Sequence, residues 1–159
     1  RQKLEAIDPQ AIAEDLAELY DPVCEDAGIS FSAEIAPGCQ IAGERDLVSQ
    51  AIANLLDNAV KYTPEGGAIA LRLRCRANGE VEFSVTDTGP GIPGSDRIRV
   101  IQRFVRLDNS RSKPGSGLGL SLVKAIAEYH GARLELDDGP GTGPHGPGLR
   151  AALVFPAPK

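Results

Sequence analysis

Residues 68–87 read AIALRLRCRANGEVEFSVTD. Two segments, Ala68 to Arg76 and Glu80 to Thr86, alternate apolar and polar residues on either side of Asn78-Gly79. Such alternation marks strands with one buried face, and Asn-Gly between two of them is a hairpin turn. An antiparallel hairpin therefore sits in the middle of the chain, and the rest is read outward from it.

Upstream, Leu47, Val48, Ala51, Ile52, Leu55, Leu56 and Ala59 form a broad helical stripe from about Glu44 to Lys61, ended by Pro64-Glu65-Gly66-Gly67. Before that, Ile29 to Ile35 reads as a short strand turned by Pro37-Gly38. Asp8-Pro9 is a helix start, with Asp as N-cap and Pro in the first turn. Ile12, Leu16, Leu19 and Val23 then recur at helical spacing up to Gly28.

Downstream, Asp87 to Gly117 is rich in Gly, Pro and charge, with weak periodicity. A stretch of about thirty such residues in a compact domain is usually a functional loop. A third helix runs from Leu118 to Tyr129 and stops at Gly131. Arg133 to Leu136 and Leu149 to Phe155 read as closing strands around a Gly/Pro-rich loop, Asp137 to Gly148. The expected fold is an α/β two-layer sandwich: a mixed, mostly antiparallel sheet of about five strands, with three helices on one face.

The chain has 159 residues, 42% of them hydrophobic and 25% charged, enough for one domain with a core. A formal net charge of -5 gives a nucleic-acid partner no electrostatic support. Cys24, Cys39 and Cys75 are odd in number, widely spaced and without metal-ligand spacing. They are expected to be reduced, buried or bystander thiols of a cytosolic domain. No apolar run approaches the ~18 residues of a membrane span. Because the first residue is Arg1 and not Met, the chain is expected to be a piece of a longer protein, with any membrane anchor outside it.

Three constellations carry chemistry. Asn54 and Asn58 lie one turn apart at the edge of the second helix's stripe, with Lys61 and Tyr62 beyond them. Two stacked amides offer neutral oxygens to a hard cation beside a polyphosphate. Asp87-Thr88-Gly89-Pro90-Gly91-Ile92-Pro93 follows a strand directly. An Asp there can accept from an exocyclic amine, and the glycines allow close ligand approach. Gly115-Ser116-Gly117-Leu118-Gly119-Leu120 opens the third helix, where free backbone N–H groups suit phosphate. Each alone has a plain reading: solvated asparagines, a simple turn, a Gly-rich hinge.

In order, these segments closely resemble the N, G1 and G2 boxes of the histidine kinase ATPase-like family, which includes gyrase, chaperone and mismatch-repair ATPases. The chain resembles the catalytic ATP-binding domain of a sensor histidine kinase from about Asp8 onward, with a Bergerat-type fold and a lid at about 94–116. Residues 1–7 would be the tail of an upstream dimerisation helix or a linker. The resemblance implies that Asp87 binds the adenine amine and Tyr62 packs on the base. It implies that Asn58, with Asn54, holds magnesium, and that Lys61 meets phosphate. Gly89, Gly91 and Ile92 would line the nucleotide, and Gly115 to Leu120 would wrap its phosphates.

Arg106 matches the family's F box and would contact the γ-phosphate or the partner helix. The segment Ile101-Gln102-Arg103-Phe104-Val105-Arg106 departs from the usual Phe-Glu-Arg-Phe-Tyr-Arg. ATP-hydrolysing relatives carry a general-base Glu where this chain has Asn54, which favours transfer over hydrolysis. A degenerate interaction module is the non-enzymatic alternative. His130, just before Gly131, suits a cap or core-edge role, and His145 suits a solvated loop. Neither resembles a phosphoacceptor. The acceptor, on a homodimerising domain that also meets a response regulator, is expected upstream. The fragment should then be a monomer that binds ATP without autophosphorylation, on the cytoplasmic side of a parent anchored in the inner membrane.

Overall fold

The computed structural model describes residues 4–97 and 116–158. In chain order the elements are β1 (Glu5–Ile7), α1 (Pro9–Asp26), β2 (Ser30–Ile35), β3 (Ile41–Gly43), α2 (Arg45–Tyr62), β4 (Ala68–Cys75), β5 (Val81–Asp87), α3 (Ser116–Tyr129), β6 (Arg133–Asp138) and β7 (Leu149–Phe155), with a 3-10 turn at Gly94–Asp96. The main sheet runs β2-β4-β5-β7-β6. β2 and β4 are parallel and the other pairs antiparallel. This is the expected mixed sheet, and the hairpin at Asn78-Gly79 is there, with Gly79 at φ 89°.

The helices bury Ile12, Leu16, Val48, Ile52, Leu56 and Val123 against Leu71, Phe83, Leu153 and Phe155 of one sheet face. In α1 the N-cap is Asp8, whose side chain accepts from Gln10 N–H at 3.0 Å. Its buried edge is Ile12, Ala13, Leu16, Tyr20 and Cys24, whereas Leu19 and Val23 are 59% and 41% exposed. The stripe steps by fours towards Tyr20, which leaves Leu19 and Val23 on the outer flank. Tyr20 Oη donates to Asp57 at 2.5 Å, tying α1 to α2.

The opposite sheet face is ionic. Glu82, 2% exposed, accepts from Arg74 of β4, Arg76 just past its end and Arg150 of β7. Arg150 also meets Glu135 and Asp137 of β6. Burial pushes the Glu82 carboxyl up, but the guanidinium groups of Arg76, Arg150 and Arg74 outweigh it and hold the value at about 2.

Three expectations are corrected. Cys39 and Cys75 are joined in a disulfide, their Cα atoms 5.6 Å apart, while Cys24 is free and buried. The parallel register sets Ile35 beside Leu73, and the turn at Pro37-Gly38 brings Cys39 back over Cys75. Within residues 1–7, expected as a helix tail or a linker, Glu5–Ile7 is not helical but a strand that pairs antiparallel with Ile41–Gly43 in a separate ribbon. Finally, α3 starts at Ser116, so Gly117 and Gly119 lie inside the helix rather than ahead of it.

Candidate functional site

Three structural joints bring the sequence constellations together, and each is built on a missing side chain or a backbone N–H. The first is at the end of β5. Asp87 is 6% exposed, and its Oδ1 accepts from Gly89 N–H at 2.9 Å and from Leu149 N–H at 3.2 Å. Burial pushes its carboxyl above the ordinary Asp value, while the two backbone N–H groups pull the other way. The Asp is thus held in one orientation by the loop that follows it and by the neighbouring strand.

The second joint links that loop to the end of α2. A Cβ on Gly89 would stand 2.7 Å from the Tyr62 carbonyl oxygen, so only glycine lets the Asp87 loop lie against the helix terminus. Thr88 Oγ1 accepts from Ala68 N–H at 3.0 Å. A Cβ on Gly67 would meet Thr63 Cγ2 at 2.5 Å and Thr88 Oγ1 at 2.7 Å. Within this contact Thr63 is 6% exposed, and its hydroxyl is the buried side-chain polar atom left without a partner among the described residues.

The third joint is between helices. A Cβ on Gly119 would lie 3.1 Å from Asn58 Nδ2 and 3.3 Å from Asn58 Oδ1. The start of α3 therefore passes directly over the Asn58 carboxamide. Asn54 and Asn58 are both half-buried on α2, and Lys61 and Tyr62 follow in its last turn, as the spacing requires. Ile92 is half-buried and packs on the core, and Arg97 Nε donates to its carbonyl at 3.1 Å. Gly91 has φ 77°, a conformation glycine adopts readily.

Some site residues expected from sequence fall elsewhere. Arg106 and Gly115 lie outside the described residues, as do the F-box segment and the span 98–115 of the expected lid. Ser116, Gly117 and Leu118 are placed on α3 by their backbone only. Leu120 is 7% exposed and belongs to the core.

The β6–β7 loop is the expected Gly/Pro-rich hairpin loop, and it also packs against Asp87 and Thr88. A Cβ on Gly143 would stand 2.5 Å from Thr88 O, one on Gly139 2.8 Å from Asp87 O, and one on Gly148 closer still to that oxygen. Its glycines were visible in the sequence. Their purpose follows from the pairing of β5 with β7, which sets Asp87 opposite Leu149.

No helix among the described residues is long and apolar enough to cross a membrane. His145 is exposed on the β6–β7 loop. His130 is 4% exposed at the end of α3, where its N–H continues the helix to the carbonyls of Ile126 and Ala127.

The model of histidine kinase-, DNA gyrase B- and HSP90-like ATPases matches residues 43–158. The sensor-like histidine kinase SenX3 of Mycolicibacterium smegmatis is 37% identical over 142 residues, covering 88% of this chain and 37% of SenX3. The signal transduction histidine-protein kinase/phosphatase MprB of the same organism is 35% identical over 165 residues, covering 100% of this chain and 32% of MprB. The chain thus spans about a third of the length of these curated relatives. Among solved structures, a mycobacterial sensor histidine kinase MprB superposes with TM-score 0.84 at 35% identity, covering 98% of this chain and 100% of that one. Full-length ShkA in complex with AMPPNP gives TM-score 0.79 at 29% identity, covering 96% of this chain and 31% of that one. By these likenesses the chain belongs to the histidine kinase-, DNA gyrase B- and HSP90-like ATPase family, as a sensor histidine kinase catalytic domain.

Proposed function

We propose that this domain binds ATP with magnesium and donates the γ-phosphate to a histidine on a separate dimerising domain. The observation that carries the reading is Asp87. It is buried at a strand end, and both of its backbone hydrogen bonds fall on Oδ1. Its Oδ2 is the acceptor for the exocyclic amine of adenine, with Tyr62 beside the base. The ShkA structure with AMPPNP supports a nucleotide in this fold.

The donor set fits magnesium bound through the nucleotide. Among the described residues no three His, Cys, Asp or Glu side chains gather as a metal site. A hard cation here would take amide oxygen from Asn58, with Asn54 one turn away, and complete its shell with phosphate and water. The glycine at 119 keeps that carboxamide uncovered by a side chain from α3. Bound magnesium would neutralise phosphate charge; Lys61 would add a cation, and the Gly115 to Leu120 segment would add backbone N–H groups. Gly91 and Ile92 continue the wall begun at Gly89, and Arg106 would meet the γ-phosphate.

Asn54 has no basic atom with which to activate water, so transfer to an imidazole is favoured over hydrolysis. The whole protein would then be a homodimeric two-component sensor kinase that phosphorylates a response regulator from its acceptor histidine. Calorimetry with a non-hydrolysable ATP analogue tests the site. Asn58→Ala should weaken magnesium-dependent binding about 10- to 100-fold, and Asp87→Asn should nearly abolish binding. Unchanged affinity in both variants would reject the reading.

A further inference from the structure

We propose that Cys39–Cys75 is a thiol–disulfide exchange site for a low-molecular-weight thiol and its disulfide, and that its state sets how firmly the β1–β3 ribbon is held to the main sheet. The inference is independent of nucleotide binding. Its first support is asymmetry of access. Cys75 ends β4 and is exposed, whereas Cys39 is 4% exposed. An incoming thiolate therefore reaches the Cys75 sulfur, and Cys39 is the resolving partner. The third thiol, Cys24, is fully buried, and burial pushes it above the ordinary cysteine value, so it stays out of the exchange.

The second support is connectivity. β3 takes β1 as its strand partner and lies in a sheet of its own, apart from the five-stranded one. The disulfide bonds the turn just before β3 to the end of β4, which gives the ribbon a covalent tie to the main sheet.

The chemistry balances. A thiolate attacks the Cys75 sulfur, the S–S bond breaks, and Cys39 leaves as a thiolate that takes a proton. A second thiolate attacks the outer, small-molecule sulfur of the mixed disulfide, Cys75 leaves as a thiolate that takes a proton, and the small-molecule disulfide is released. Two thiols are oxidised while the protein disulfide is reduced by two electrons, and the reverse sequence reforms the bond.

The test equilibrates the chain in glutathione disulfide or in excess reduced glutathione, then alkylates under denaturing conditions. Peptide mass spectrometry should find only Cys24 alkylated in the first and all three cysteines in the second. Amide exchange at Glu5–Ile7 and Ile41–Gly43 should be about tenfold faster in the reduced protein, with β5 unchanged. Cys39→Ser/Cys75→Ser should show the fast ribbon in both buffers. Cys39 and Cys75 remaining alkylated in glutathione disulfide would overturn the exchange site. A complete change in thiol state with equal ribbon exchange would overturn its coupling to the ribbon.

Discussion

The backbone N–H of Glu44, at the head of α2, donates to Nε2 of His130, just past the tail of α3, at 3.0 Å. The other ring nitrogen lies 2.8 Å from the Ile126 carbonyl, which can only accept. The imidazole is therefore neutral with its proton on Nδ1, and it is packed edge-on against Phe155. From Glu44 to Asn58 is about 20 Å along α2 at 1.5 Å per residue, and Asn58 faces Gly119 of α3. The two helices are antiparallel, pinned by His130 at one end and meeting over the carboxamide at the other.

Replacing His130 should separate packing from hydrogen bonding. His130→Phe fills the space but orphans the Glu44 N–H, a cost of about 1–3 kcal/mol. His130→Gln restores an acceptor and should recover part of that loss. Urea denaturation of both variants measures the difference, and equal stability of the two would contradict the pin. Nitrogen NMR of the imidazole should report the Nδ1–H tautomer.

Gly119→Ala sets two effects against each other. Inside a helix, alanine is favoured over glycine by about 0.8–1.0 kcal/mol. The new Cβ would press on Asn58 Nδ2 from 3.1 Å, so the carboxamide must shift. The expected outcome is a melting temperature equal to or above the parent's, with weaker magnesium-dependent nucleotide binding by calorimetry. Undiminished affinity would show that this approach does not matter to the site.

Asp87 should display a trade between stability and binding. A carboxyl raised by burial stabilises the fold while protonated, below the ordinary Asp value. That contribution is lost as pH rises through the raised folded value, so at neutral pH the ion is a standing cost. Asp87→Asn keeps an Oδ1 acceptor for Gly89 and Leu149 and removes the charge. Calorimetric unfolding at pH 7 should show no loss of stability, even as nucleotide binding disappears. A variant several degrees less stable would count against this balance.

Glu82 should behave in the opposite way. Its carboxyl is held down at about 2, so its stabilisation is full above the ordinary Glu value and is lost as pH falls towards 2. Its Arg76 and Arg150 partners are 28% and 24% exposed, so solvent moderates the pairs. Glu82→Gln should destabilise by about 1–3 kcal/mol at pH 7. The gap between variant and parent should narrow as pH falls below 4. A gap independent of pH would assign the loss to packing.

Phosphotransfer itself gives a simple readout. The described chain should bind labelled ATP without labelling itself, and should label an acceptor domain supplied separately. Label on this chain alone would reject the expected division of labour.

What could be read from sequence depended on whether partners lie close along the chain. Asn54 and Asn58 are set by one helical turn, and Asp87 by the strand it ends, so their places were legible. The Gly79 hairpin was legible for the same reason. Cys39 with Cys75 was not, because the two meet only through the parallel register of β2 with β4 and a turn that doubles back. The β1–β3 ribbon escaped because three-residue strands leave no period to detect. Burial of Glu82 on the outer face was invisible too, since Arg74 and Arg150 of the two neighbouring strands and Arg76 of the hairpin turn create it. Leu19 and Val23 misled because helical spacing identifies a stripe but not which flank of it meets the sheet.

If Asp87 reads the base as proposed, the bond from Leu149 N–H to Asp87 would tie base recognition to strand alignment. A slip of one residue between β5 and β7 would turn every side chain of β7 to the other face and move that donor away. On that reading the choice of nucleobase would not be a local decision of one carboxylate. It would be inherited in part from the threading of the sheet, since a variant that keeps this alignment also keeps the Leu149 donor beside Asp87.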